Sequence, residues 1–141
     1  MAGTKREYSG TPLPKKLGIK EGTRLAVVAA PEGFDATLGH LPDGVRPRTQ
    51  VRGVLDVILF FVTRRAELAR RLPTMVRALE DDGGLWVAWP KATSGIATDL
   101  GFDAVQSLGL HAGLVDNKVA AIDATWSGLR FVYRLSDRPA R

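Results

Sequence analysis

The residues of this chain best suited to chemistry follow its apolar segments. Lys91 comes directly after the apolar run 85–89 and a proline, where an open α/β sheet places ligand-binding groups, outside the carboxyl end of a strand. Its ammonium group suits a phosphate or a carboxylate, although a lysine at this point can also simply solvate a loop. Ser94 lies in the polar loop that follows. Arg64 begins a predicted helix, where a cation is electrostatically disfavoured, and we interpret it as assisting Lys91 with an anion.

Aromatic residues and one further loop complete the candidate site. Trp89 ends the central strand, on which we expect Trp86 and Trp89 to share one face. Trp126 lies in a compact turn, where it either stacks on a ligand ring or covers the hairpin. Glu32 and Gly33 follow the first strand. We expect the loops after the first three strands to meet in a shallow basic cleft. Its candidate ligand-binding residues are Glu32, Gly33, Arg64, Trp89, Lys91, Ser94 and Trp126.

Composition excludes several kinds of catalysis. The chain has no cysteine, which rules out disulfides, thiol catalysis and cysteine-ligated zinc. Its two histidines, His40 and His111, are too few for a multi-histidine metal site. No Gly-x-Ser-x-Gly motif supports Ser-His-Asp hydrolysis. We therefore predict no metal and no cofactor, and assign no catalytic residue.

Charge and hydropathy bound the partners. The formal charge of +5 and the pI of about 10.0 raise nucleic acid as a partner. The basic residues are scattered along the chain, however, so specific nucleic-acid binding is not expected. No apolar run approaches the length of a membrane span, and the N-terminus has no apolar core like a signal peptide's. The sequence predicts a cytoplasmic protein without a membrane partner, and homo-oligomerisation stays open.

Alternating apolar strands and amphipathic helices predict an α/β fold. We expect a three-layer, Rossmann-like arrangement in which a mostly parallel sheet ends in an antiparallel hairpin. Residues 1–10 are predicted to be a mobile arm, 11–136 a single domain and 137–141 a tail. The predicted strands lie near 24–29, 55–62, 85–89, 118–123 and 129–135, the first three parallel and central and the last at a sheet edge, with a short edge strand at 45–50. The main helices are predicted at 64–80, kinked or split at Pro73, and at 99–111.

This layout is similar to a trimmed Rossmann-like methyltransferase fold. The first strand lacks the acidic residue and the Gly-x-Gly loop that hold S-adenosylmethionine in that family, since Gly33 is the only glycine between Ala29 and Leu38. The resemblance therefore implies that the cofactor site has been lost.

Several motifs also resemble a family of small bacterial proteins, common in actinobacteria, known as domain of unknown function 3052. That resemblance implies a single-domain cytoplasmic protein and carries over no activity, cofactor or catalytic residue. It rests on Tyr8-Ser9-Gly10-Thr11-Pro12-Leu13, Lys16-Leu17-Gly18-Ile19-Lys20, Leu85-Trp86-Val87, Trp89-Pro90-Lys91 and the stretch from Asp123 to Phe131.

Function is the least constrained conclusion. The favoured interpretation is a non-enzymatic binding or regulatory module for a small anionic ligand or a protein partner, because no proton-transfer pair or metal cluster is visible. The alternative is a small enzyme whose active site is formed by the loops after strands 24–29 and 85–89. A weak nucleic-acid binder is a second alternative, resting on net charge alone.

Overall fold

The computed structural model describes residues 10–135, which build one five-stranded sheet covered by helices. The predicted tail and nearly all of the predicted arm lie outside the described residues. The strands are Leu25–Val28 (β1), Leu55–Phe61 (β2), Leu79–Pro90 (β3), Leu114–Ala121 (β4) and Trp126–Tyr133 (β5). The helices are Leu13–Lys16 (α1), Phe34–Leu38 (α2), Arg65–Ala78 (α3) and Phe102–His111 (α4).

The strand order is β1-β2-β3-β5-β4. β1, β2 and β3 are parallel, and β5 is antiparallel to both β3 and β4. β5 is therefore the one reversed strand of this sheet. This confirms the predicted α/β fold class, with a mostly parallel sheet ending in an antiparallel hairpin.

Two strand positions differ from the prediction. β1 is an edge strand, so only two of the three parallel strands are central. The last strand, β5, lies inside the sheet, and β4 forms the edge. Burial explains why β5 lies inside the sheet and β4 lies at its edge. β5 carries Gly128, Leu129, Phe131 and Val132, all buried, whereas residues 117–119 of β4 are exposed. A strand with apolar residues on both faces needs a neighbour on each side.

The sheet separates two apolar layers. α3 and α4 cover one face, where Leu68, Leu72, Met75 and Val105 pack with Phe60 and Trp89. α1 and α2 cover the other, where Leu17, Phe34 and Leu38 pack with Phe61 and Trp86. Trp86 and Trp89 therefore lie on opposite faces, and the expectation of a shared face was wrong, because positions three apart on a strand of period two cannot share one. The Trp86 Nε1–H also donates to the Leu17 carbonyl at 3.0 Å in the buried layer.

Local boundaries required further corrections. α3 is a single helix of 14 residues that continues through Pro73, which is exposed, so it is not split. It ends at Ala78, and β3 begins at once, so Gly83 and Gly84 lie within the strand rather than ahead of it. The surroundings of both glycines are crowded. For example, a Cβ on Gly84 would come within 2.4 Å of the Arg130 side chain. The predicted edge strand at 45–50 is only a single parallel bridge between Arg48 and Ala26, since Pro47 has no N–H with which to extend it.

The amino-terminal edge of the sheet carries an ion pair whose effect depends on pH. Arg24 Nη2 lies 2.9 Å from Asp56 Oδ1, and the Arg24 backbone N–H donates to Asp56 Oδ2 at 2.8 Å. The hydrogen bond from the Arg24 side chain is the largest of several causes that lower the pKa of the Asp56 carboxyl below its ordinary value of 3.8. A lowered pKa in the folded state stabilises the protein above the ordinary value, and this contribution disappears as pH falls through the folded value.

We expect Asp56→Asn to lower the free energy of unfolding modestly at pH 7, because both partners are partly exposed and screened by solvent. The difference from the parent protein should shrink as pH falls from 5 to 3. Urea denaturation across that range measures it, and a difference that is independent of pH would contradict the assignment.

Candidate functional site

Three hollows with shared lining residues lie side by side along the carboxyl ends of the parallel strands. The Trp126 hollow, about 320 Å³, is lined by Ala29, Phe60, Phe61, Val62, Thr63, Arg64, Glu67 and Trp126. The Thr63 hollow, about 200 Å³, is lined by Thr63, Arg64, Ala97, Thr98 and Asp99. The Lys91 hollow, about 650 Å³, is lined by Trp89, Pro90, Lys91, Ala92, Ile96, Ala97, Thr98, Leu100, Gly101, Phe102 and Ser127. Neighbouring hollows share lining residues, and we call the whole the carboxyl-edge groove.

The Lys91 hollow begins where β3 ends. The Lys91 backbone N–H donates to the Thr125 carbonyl at 2.8 Å, which fixes the chain as it leaves the sheet. The Lys91 side chain is half-buried, and within residues 10–135 it makes no hydrogen bond or ion pair. A lysine in this state can bind an anion without first breaking an ion pair with a described carboxylate.

The loop that closes the groove is fastened to the start of α3. Thr98 Oγ1 donates to the Thr63 carbonyl at 2.6 Å and accepts the Leu100 N–H at 3.0 Å. Asp99 Oδ1 accepts the Arg65 N–H at 2.7 Å. Asp99 therefore caps α3 from 34 residues away, a task that the helix's own N-cap residue, Arg64, does not perform. α4 accordingly begins at Phe102, and the predicted start at Asp99 was wrong.

We expect Asp99→Ala to lower the free energy of unfolding by about 1 kcal/mol, the usual contribution of an N-terminal helix cap. Asp99→Asn keeps an acceptor oxygen at the same place and should retain most of that stability. Urea denaturation of both variants measures the difference. A free energy of unfolding that is unchanged in Asp99→Ala would show that the cap contributes nothing.

The Trp126 hollow has an aromatic floor. Trp126 meets Phe61 edge-on with ring centroids 5.0 Å apart, and Phe61 meets Phe34 in the same way at 4.8 Å. Asp123 Oδ1 accepts the backbone N–H groups of Thr125 and Trp126 at 2.8 and 2.9 Å, so this carboxylate organises the turn. The aromatic row and the turn together hold Trp126 in place.

Two charged residues line the mouth of the Trp126 hollow. Arg64 is exposed and has no ion-pair partner among the described residues. Glu67 pairs with Arg70 at 2.7 Å, and this hydrogen bond lowers the pKa of the Glu67 carboxyl. The ion pair within α3 therefore stabilises the ionised form of Glu67. A carboxylate in this form is poorly suited to donate a proton near neutral pH.

The structure divides the seven candidate residues among different places. Trp89 and Lys91 lie together in the Lys91 hollow, and Arg64 and Trp126 lie together in the Trp126 hollow. The other three line none of the groove's hollows. Glu32 is exposed in the turn after β1, Gly33 is the N-cap residue of α2, and Ser94 Oγ accepts the Ile96 N–H at 3.1 Å. The binding roles of all seven stay predictions.

Sequence reasoning missed several residues of the groove. Ile96, Thr98, Asp99 and Phe102 all line it. The available signals were a lone isoleucine in a polar loop and a Thr-Asp pair just ahead of a helix. Within residues 10–135 there is no group of three or more side chains placed to ligate a metal ion, and no helix is long and apolar enough to cross a membrane.

Comparison with known proteins identifies the fold. No family model and no curated protein matches the sequence, so the resemblance to domain of unknown function 3052 is not confirmed. Solved methyltransferase structures match the fold. A SAM-dependent methyltransferase from Aquifex aeolicus matches with a TM-score of 0.60 and 13% identity, covering 83% of this chain and 85% of its own. The magnesium protoporphyrin IX methyltransferase from Synechocystis with bound SAH matches at 0.56 and 10% identity, covering 81% of this chain and 75% of its own.

An O-methyltransferase family 2 protein from Planctomyces limnophilus in complex with apigenin also matches, with a TM-score of 0.60 and 13% identity. The match covers 81% of this chain and 50% of that protein. The fold is therefore the Rossmann-like fold of methyltransferases. All three matches are to proteins described as enzymes, which contradicts the favoured interpretation of a non-enzymatic binding or regulatory module. The small-enzyme alternative fits the comparisons better.

The residues after β1 do not fit S-adenosylmethionine, the cofactor that this fold implies. Pro31 has no N–H to donate, and the Phe34 N–H is already bonded to the Pro31 carbonyl at 3.1 Å. Ala29 occupies the left-handed region with φ of 60°. Glycine is favoured at such a φ, and it is also favoured where a ligand must approach the backbone closely. Glu67, the single carboxylate among residues 10–135 that lines the Trp126 hollow, is paired with Arg70. No step is assigned to this cofactor.

Proposed function

We propose that this protein is a small enzyme whose active site is the carboxyl-edge groove, and that it acts on a substrate that carries an anionic group. The observation that carries the proposal is Lys91, a half-buried cation without an ion-pair partner in the described residues, on the wall of the largest hollow of the groove. The match to solved methyltransferase structures supports an enzyme. Membership of domain family 3052 and a cytoplasmic location stay proposals beside it.

Lys91, Arg64 and the apolar walls of the groove have distinct tasks in this proposal. Lys91 binds the anionic group and stabilises negative charge that develops on it during the reaction. Arg64 lines the other two hollows of the groove. It supplies a second positive charge and steers anions towards the groove. The aromatic and aliphatic walls exclude water, which strengthens both electrostatic interactions.

The test is an unbiased search for turnover. The purified protein is incubated with a complete metabolite extract of its own host, and mass spectrometry follows which anions disappear with time. We expect one anion to be consumed by the parent protein, and Lys91→Ala to slow its consumption by about 100-fold, the usual effect of removing one pre-positioned charge-stabilising group. Lys15→Ala removes an exposed lysine of α1 outside the groove and should have no effect.

A second arm adds S-adenosylmethionine to the extract. Because the loop after β1 does not fit this cofactor, we expect neither the rate nor the products to change. An extract in which the parent protein consumes nothing would overturn the proposal of an enzyme. Consumption that is insensitive to Lys91→Ala would place the active site elsewhere.

A further inference from the structure

The geometry points to an amphipathic anion as the substrate class: a molecule with an apolar body seated in the Lys91 hollow and an anionic group held by Lys91. This inference rests on the proposed function and narrows it. It takes its evidence from the walls of one hollow, from the charges around it and from its size.

The walls of the Lys91 hollow are apolar beyond the needs of folding. Trp89 and Leu100 form buried parts of its lining. Ile96 and Phe102 also line it, yet they are 40% and 39% exposed. Exposed large apolar side chains that gather around one concavity, rather than standing singly on the surface, mark a place where a ligand covers them.

Among residues 10–135, Lys91 is the only charged residue that lines the hollow. Ser127 and Thr98 add hydroxyl groups, but no carboxylate of the described part of the chain lines the hollow to neutralise the ammonium group. The hollow at the opposite edge of the sheet differs, because there Glu21, Asp56 and Asp82 stand with Lys20 and Arg130. The Lys91 hollow therefore combines an apolar wall with one uncompensated positive charge, and its complement is an apolar molecule with one negative charge.

The size of the hollow favours an organic molecule over a simple inorganic anion as the full occupant. The hollow measures about 650 Å³, which is within the range of sites for whole organic ligands, roughly 300 to 1,000 Å³. A phosphate or a short carboxylate on Lys91 would leave the faces of Ile96 and Phe102 in water. An aromatic or acyl body covers those faces and displaces that water.

A matched pair of fluorescent probes tests the inference. 1-Anilinonaphthalene-8-sulfonate carries an apolar body and a sulfonate, and N-phenyl-1-naphthylamine has the same body without the charge. We expect the sulfonate to bind the folded protein with one-to-one stoichiometry and at least about tenfold more tightly than the neutral probe, the effect of a single charge pair of ordinary strength. Inorganic phosphate at 10 mM should not displace it. Near-ultraviolet circular dichroism verifies that the protein stays folded.

Variants locate the site. Lys91→Ala should weaken sulfonate binding about tenfold and leave the neutral probe unchanged. Ile96→Ser should weaken both probes. The matched controls are Lys15→Ala and Val119→Ser, which remove an exposed lysine and an exposed valine outside the groove, and they should change neither. Equal affinity for the two probes, or binding unaffected by both groove variants, overturns the inference.

The two proposals fail in distinguishable ways. If the sulfonate binds at Lys91 but the metabolite extract shows no turnover, the substrate-class geometry stands as a binding site and the enzyme proposal fails. If the extract reveals Lys91-dependent turnover of a small, wholly polar anion, the enzyme proposal stands and the inference of an apolar body is wrong.

Discussion

Gly109→Ala should cost about 3 kcal/mol of unfolding free energy, a large fraction of the roughly 5 to 15 kcal/mol of a typical domain. Gly109 is buried in α4, where an added Cβ would lie 2.0 Å from Cε1 of Phe131, a ring that is itself fully buried in β5. The ring is enclosed by the core, so the clash is relieved only by displacing the ring or the helix. In a solvent-exposed helix, replacing glycine by alanine stabilises the protein by about 1 kcal/mol. Close packing around Gly109 therefore reverses the sign of the effect on stability.

Gly101→Ala is the matched control for this prediction. Gly101 is the N-cap residue of α4, and no atom lies within 4 Å of the position that its Cβ would take. Thermal and urea denaturation should therefore separate the two variants clearly. Phe131→Leu placed in the Gly109→Ala background should recover part of the loss by removing ring atoms from the clash. If Gly109→Ala is as stable as Gly101→Ala, α4 does not pack on the sheet as described.

The effect reaches the groove because α4 positions one of its walls. Phe102 is the first residue of α4, and the loop before it carries Asp99, which caps α3. A helix displaced by a methyl group at Gly109 would move Phe102 with it. Gly109 variants that remain folded should therefore bind amphipathic probes less tightly, although this residue lines none of the groove's hollows.

Most of the architecture was predictable from apolar periodicity. The run 55–62 is apolar at almost every position, which is the pattern of a strand covered on both faces, and β2 is that strand. Leu68 and Leu72 recur at helical spacing, and both lie on the buried side of α3. What failed depended on partners remote in sequence. Glu80 to Gly84 read as a helix end and a turn, yet they extend β3, because β2 and Arg130 pack closely against that segment.

The candidate site was predictable in part, for a related reason. A residue after a central parallel strand must lie at the carboxyl edge of the sheet, and Lys91 does. The same rule applied to β1 selected Glu32 and Gly33, but Ala29 is the residue of that connection that lines the groove. Ile96 and Phe102 were out of reach of this rule. Their place depends on how the loop ahead of α4 is held by Thr98 and Asp99, and that contact joins segments more than thirty residues apart.

Trp126→Ala should lower the free energy of unfolding by about 3 to 5 kcal/mol, the usual loss when a buried aromatic side chain is truncated. Trp126 is 8% exposed and lies edge-on against Phe61, so its removal leaves a cavity and breaks the aromatic row under the Trp126 hollow. The sequence left two roles open for this residue, stacking on a ligand or covering the hairpin. Burial and the contact with Phe61 favour covering, and denaturation experiments measure the loss directly.

Trp126→Phe separates the two roles. A phenyl ring refills much of the space and preserves an aromatic contact with Phe61, so we expect it to restore more than half of the stability lost in Trp126→Ala. Because Trp126 lines a different hollow from Lys91, probe binding in the Lys91 hollow should be unchanged in Trp126→Phe. The opposite pattern, an alanine variant of full stability in which anion binding is lost, would show that Trp126 stacks on the ligand and that the two hollows act as one site.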